Sequence, residues 1–92
     1  FRPALGEILD EHLYDEQVAQ IRTIAATVPG VIDTEKCFMR KSGMTFLVDL
    51  HLIVDGNISV TEGHDIAHRL KDKVMQEIPE IADVLIHVEP DN

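Results

Sequence analysis

Cysteine is almost missing from this 92-residue chain, with Cys37 the single example. One thiol cannot close an internal disulfide, which points to a reducing compartment and leaves Cys37 to act as a small buried apolar residue. Aromatic side chains are nearly as scarce: Phe1, Tyr14, Phe38 and Phe46. No platform for stacking nucleic-acid bases is therefore expected. Basic residues are outnumbered, with 8 Lys and Arg against 17 Asp and Glu and a formal net charge of -9. Such a chain cannot displace counterions from DNA or RNA, and it has no basic surface for anionic lipid, so neither partner is expected. No run approaches the ~20 apolar residues of a membrane helix, and no signal peptide is visible. Long runs of one charge sign, internal repeats and low-complexity tracts are missing too, which argues against disorder. So are a glycine-rich phosphate loop and a nucleophile elbow, and no catalytic role is expected.

What is there is an ordinary globular composition, 45% apolar and 27% charged, at the size of one small domain. The chain opens on Phe1 rather than methionine, so a piece of a longer protein or a processed product is expected. Residues 1–14 read as a lead-in segment. Leu5, Ile8, Leu9 and Leu13 have helical spacing there, weakened by Pro3 and Gly6. Residues 15–92 read as the domain.

In that domain, Val18, Ile21, Ala25 and Val28 form one face of a helix that Asp15 can cap and Pro29-Gly30 stops. A strand follows over about 31–40, with a turn at Ser42-Gly43. The second strand, 44–54, has a period of two. Met44, Phe46, Val48, Leu50, Leu52 and Val54 point one way, toward the helices. Thr45, Leu47, Asp49, His51, Ile53 and Asp55 point the other. After a turn at Asp55-Gly56-Asn57, Ser59-Val60-Thr61-Glu62 is a capping box. The helix it opens has Ile66, Leu70 and Val74 on its apolar face and ends at Pro79. The last strand, about 83–89, turns Val84, Ile86 and Val88 inward and Leu85, His87 and Glu89 outward, and Pro90 stops it. The order α-β-β-α-β predicts an α+β, ferredoxin-like fold lacking its first strand. Its three-stranded mixed sheet should carry both helices on one face, with the last strand returned parallel to the second.

The outward positions gather the ligand-type residues. His51 lies on the second strand, and His87 and Glu89 lie two apart on the third. His64, near the start of the second helix, could join from the sheet edge or from a second subunit. Imidazoles with a carboxylate suit zinc, cobalt, nickel or iron without any thiolate. His64 and His68 stand four apart on the helix, another spacing able to hold a metal. The zinc-protease pattern is missing, because Asp65 follows His64. His12 is assigned no role.

Several short motifs occur in order. They are Val28-Pro29-Gly30-Val31, Arg40-Lys41-Ser42-Gly43, Leu50-His51-Leu52 with Val54-Asp55, Ser59 to His64, and Ile86-His87-Val88-Glu89-Pro90. Together they resemble the C-terminal domain of cation diffusion facilitators, over nearly all of residues 16–90. The resemblance implies a cytoplasmic domain attached to a transmembrane domain of the same chain in a cell membrane. It implies a homodimer that binds a divalent metal ion, most readily Zn2+, with Fe2+, Co2+, Ni2+, Cd2+ or Mn2+ also conceivable, to control metal efflux. Family ligand positions match His51, His64 and His87, and the acidic position matches Glu89. Where some relatives have a further histidine on the first strand, this chain has Glu35. Metal drawing ligands from both protomers would offset their acidic repulsion. Histidine ligands must be deprotonated, so metal affinity is expected to fall as pH drops below about 6.5. Two other classes stand beside this expectation: a stand-alone ferredoxin-like module binding a small organic effector, and a small metalloenzyme, the weaker because no general base stands apart from the ligand set.

Overall fold

The computed structural model describes residues 13–92. Most of the expected lead-in, and His12, lie outside the described residues. The elements are α1 (Asp15–Ala26), β1 (Asp33–Ser42), β2 (Thr45–Val54), α2 (Val60–Glu77) and β3 (Ile81–Pro90). The strand order is β1-β2-β3, with β1 antiparallel and β3 parallel to the central β2. Both helices cover one face of this mixed sheet, as the ferredoxin-like expectation has it. Among the described residues, no helix is long and apolar enough to cross a membrane.

The core follows from two periodicities. Ile21, Ile24 and Ala25 of α1, and Ile66, Leu70 and Val74 of α2, recur at three and four and are buried. They meet Val48, Leu50, Leu52 and Val54, which alternate along β2. Leu50, Leu52, Leu70, Val74 and Ile21 are the largest fully enclosed side chains, so the centre of the molecule lies where β2 passes beneath the two helices. Ser59 caps α2: Glu62 N donates to Ser59 Oγ at 3.0 Å, half of the expected capping box.

The sequence expectations fail at three local points. Asp15 is the first helical residue of α1 and not its cap. Tyr14 takes the cap position without a capping side-chain bond. Met44 is 91% exposed, because it lies in the Gly43 turn just before β2 begins. Val88 is 43% exposed despite its inward parity, since Gly63 opposite it on α2 has no side chain to cover it.

A β-bulge in β1 has more consequence. Glu35 pairs with His51 and Phe38 with Asp49, so Lys36 and Cys37 together face the single residue Leu50. Lys36 takes a left-handed conformation, φ 45°. The extra residue turns Cys37 into the core and Phe38 outward, where it is 63% exposed. Strict alternation from Glu35 would have done the reverse. Burial raises the Cys37 thiol above its ordinary pKa, and the nearby Arg22 charge opposes this in part.

Candidate metal site on the outer strand face

The sheet face away from the helices carries the chemistry. Strand pairing arranges it as rows across β1, β2 and β3. One row is Glu35, His51 and His87. Next along the strands come Phe38, Asp49 and Leu85 on one side, and Asp33, Ile53 and Glu89 on the other. Two strand-face histidines separated by 36 positions in sequence thus become direct neighbours through the β2–β3 register. Their rings stack, with centroids 4.8 Å apart and planes 27° from parallel.

Carboxylates flank the stack diagonally. Glu89 Oε2 contacts His51 Nδ1. Asp49 Oδ1 lies 3.8 Å from His87 Nε2, too far for a hydrogen bond. That oxygen is shut off from solvent and has no hydrogen-bond partner. The Asp49 side chain as a whole is 45% exposed, so the shielded oxygen costs less than a fully buried carboxylate would. It is the kind of atom that a cation would satisfy. His51 is partly shielded, at 23% side-chain exposure against 50% for His87. A histidine that holds a carboxylate at one ring nitrogen is fixed in orientation and keeps the other nitrogen for a ligand.

Four of the sequence-predicted residues are therefore brought together here: His51, His87, Glu89 and, at the β1 end of the row, Glu35. Asp49 was not singled out in the sequence, although its parity with His51 placed it on the same face. What the sequence could not show was the loss of solvent and hydrogen bonds at Oδ1. The other two predicted residues sit elsewhere. His64 and His68 form an exposed pair on α2, ring centroids 4.4 Å apart. They border a shallow hollow with Ala67, Lys71, Val84, Leu85 and Ile86. Among the described residues of one chain, no group of three or more His, Cys, Asp and Glu side chains is arranged to hold an ion. A full coordination sphere on either patch thus calls for side-chain adjustment, water or donors from a second copy.

Beyond Asp49 the outer face turns apolar. Phe38, Leu47 and Leu85 line a shallow depression with Arg40 and Asp83 at its rim. Lys71 Nζ lies 3.0 Å from Asp83 Oδ1 and holds that carboxyl below its ordinary range.

The family described as cation efflux protein, cytoplasmic domain, matches residues 13–91. Cation-efflux pump FieF of Yersinia pestis (strain Pestoides F) is 34% identical over 87 residues, which are 95% of this chain and 29% of the pump. FieF of Yersinia pseudotuberculosis serotype O:3 (strain YPIII) gives the same values. The chain therefore spans less than a third of the length of these curated relatives. Among solved structures, a MamM CTD variant in a cadmium form superposes with a TM-score of 0.82 at 22% identity, covering 86% of this chain and 99% of that one. Another, in a nickel form, gives 0.81 at 22%, covering 85% and 99%. These structural likenesses carry the fold, and the residues matched by the family carry the assignment: the chain belongs to the cytoplasmic-domain family of cation efflux proteins.

Proposed function

We propose that this chain is the cytoplasmic regulatory domain of a divalent-metal efflux transporter, and that it binds a zinc-like ion on its outer strand face and homodimerises to control transport. The observation that carries the proposal is the stacked His51–His87 pair beside the unpartnered Asp49 Oδ1. Two imidazoles with flanking carboxylates are a borderline-soft donor set, suited to zinc, nickel, cobalt or iron. The cadmium and nickel forms of MamM CTD, which shares the fold, support a divalent ion.

His51, His87 and Asp49 would hold the ion. Glu89 would orient His51 or ligate in its turn, and Glu35 stands at the end of the same row. The ion supplies positive charge and open coordination positions. The chain's own residues do the rest. The β2–β3 ladder fixes the spacing of the two imidazoles, and the strand backbone limits how far they can separate. With a net charge of -9, two copies repel one another at close range. A cation on the shared face would lower that repulsion and favour a tighter dimer, a shift between two assemblies. Attachment to a membrane domain, and a position on the cytoplasmic side of a membrane, belong to the same proposal.

Calorimetric titration of metal-free protein with zinc, beside a His51→Ala, His87→Ala double variant, tests it, with light scattering on the same samples. The parent should bind and compact or double its mass, and the double variant should lose its tight phase. Equal tight binding by both would refute the strand-face assignment. No binding by the parent would refute metal sensing altogether.

A further inference from the structure

β2 and β3 run parallel, with Val54 opposite Pro90 at their ends. The residues after Pro90 therefore run beside those after Val54, the turn Asp55-Gly56-Asn57. Three hydrogen bonds fix that meeting. Ile58 N donates to Asp55 O at 3.2 Å and closes the turn. Asn57 N donates to Asp55 Oδ1 at 2.8 Å, a local bond that aspartate makes in turns. Gly56 N donates to Asp91 Oδ1 at 2.9 Å, across 35 positions of sequence. Asp55, Gly56, Asn57 and Asp91 are all exposed.

Glycine is what lets the two segments approach. A Cβ at position 56 would lie 2.8 Å from Asn92 Oδ1 and 3.1 Å from Pro90 Cβ. The same missing side chain leaves the Gly56 nitrogen unhindered toward the carboxyl group of Asp55. Attack of Gly56 N on Asp55 Cγ forms a carbon–nitrogen bond, and the carboxyl hydroxyl and the amide proton leave as one water. The product is a five-membered succinimide. Water then adds back at either carbonyl, and opening on the main-chain side leaves isoaspartate, with the backbone running through Cγ. One water is lost and one regained, so no other reactant is needed.

The folded chain opposes the first step. The Gly56 amide proton has to leave, yet Asp91 Oδ1 holds it, and a carboxylate is far too weak a base to remove an amide proton. The Asp55 carboxyl is itself engaged with Asn57 N. We propose that Asp55-Gly56 is a site of spontaneous isoaspartate formation whose rate is set by Asp91, the positioning residue that holds the Gly56 amide. The modification adds one methylene to the backbone between Val54, at the end of β2, and Ser59, the cap of α2. It therefore displaces the start of the helix relative to the sheet. The proposal does not depend on metal binding.

The test incubates metal-free protein at mildly acidic pH and follows isoaspartate at position 55 by peptide mapping and mass spectrometry. The samples are the parent, Asp91→Ala, Asp91→Asn and a synthetic peptide of residues 52–60, which sets the unprotected rate. Asp91 is exposed, so neither substitution threatens the core. The peptide should form isoaspartate, and the parent should do so more slowly. Asp91→Ala should speed the parent's reaction about fivefold, the rate equivalent of one net hydrogen bond. Asp91→Asn keeps an oxygen acceptor and should stay near the parent rate. A peptide that stays unmodified, or a parent as fast as the peptide, would overturn the proposal. So would an Asp91→Ala protein no faster than the parent, or an Asp91→Asn protein as fast as Asp91→Ala.

Discussion

The same substitution, glycine to alanine, should have opposite signs at two positions, one within α2 and one packed against it. At Gly63, inside α2, an added Cβ would meet Val88 Cγ1 at 3.6 Å and Ile58 Cδ1 at 3.9 Å, ordinary contact distances. The backbone there is helical, so alanine removes a helix penalty of about 0.5–1 kcal/mol and covers part of Val88. At Gly30 the backbone has φ +94°, and the Cβ would lie 2.6 Å from Ile66 Cδ1 and 2.8 Å from Ile66 Cγ1. Ile66 is buried and cannot swing aside into solvent. Left-handed strain of about 1–2 kcal/mol then adds to about 1–3 kcal/mol of overpacking. Urea unfolding of metal-free protein at one fixed concentration reads both. With a slope of about 1–2 kcal/mol/M, Gly63→Ala should raise the midpoint by roughly 0.5 M and Gly30→Ala should lower it by about 1 M or more, slopes unchanged. A destabilised Gly63→Ala protein, or an unaffected Gly30→Ala one, would refute this reading of the packing around α2.

Leu50 lies at 0% exposure in the middle of β2, so Leu50→Ala should cost about 2–5 kcal/mol, read as the loss of urea midpoint. The left-handed Lys36 of the bulge should tolerate glycine with little loss. Valine there should destabilise by at least about 1 kcal/mol, because a branched Cβ clashes in that region, and paired urea curves distinguish the two. Cys37 has its thiol pKa raised by burial above the ordinary 9.0. The unfolded chain therefore releases that proton first. The contribution is fully present below 9.0 and is lost as pH rises toward and through the folded value. Cys37→Ala should flatten the alkaline decline in stability, and an unchanged slope would count against a buried thiol.

The element order, the parallel return of β3 and the helix-covered face were legible because the apolar periods of α1, β2 and α2 are unbroken. The bulge was not legible. Its only sequence trace is Cys37 and Phe38 in exchanged roles, and both are apolar enough for either face. The parity of His51, His87 and Glu89 placed them on one face, while their actual meeting depends on register, a tertiary quantity that no local pattern carries. The ring contact of His64 with His68, one helical turn away, was legible from their spacing of four. Asp49 had the right parity, but the shielding of Oδ1 arises only once β1 and β3 are paired on either side of it, with Phe38 and Leu85 at its register positions.

The strand-face claim is tested most directly by NMR of the histidine ring nitrogens in the parent protein during substoichiometric zinc addition. The His51 and His87 signals should move with the first additions of zinc. Signals of His51 and His87 that stay silent in excess zinc would contradict the strand-face site.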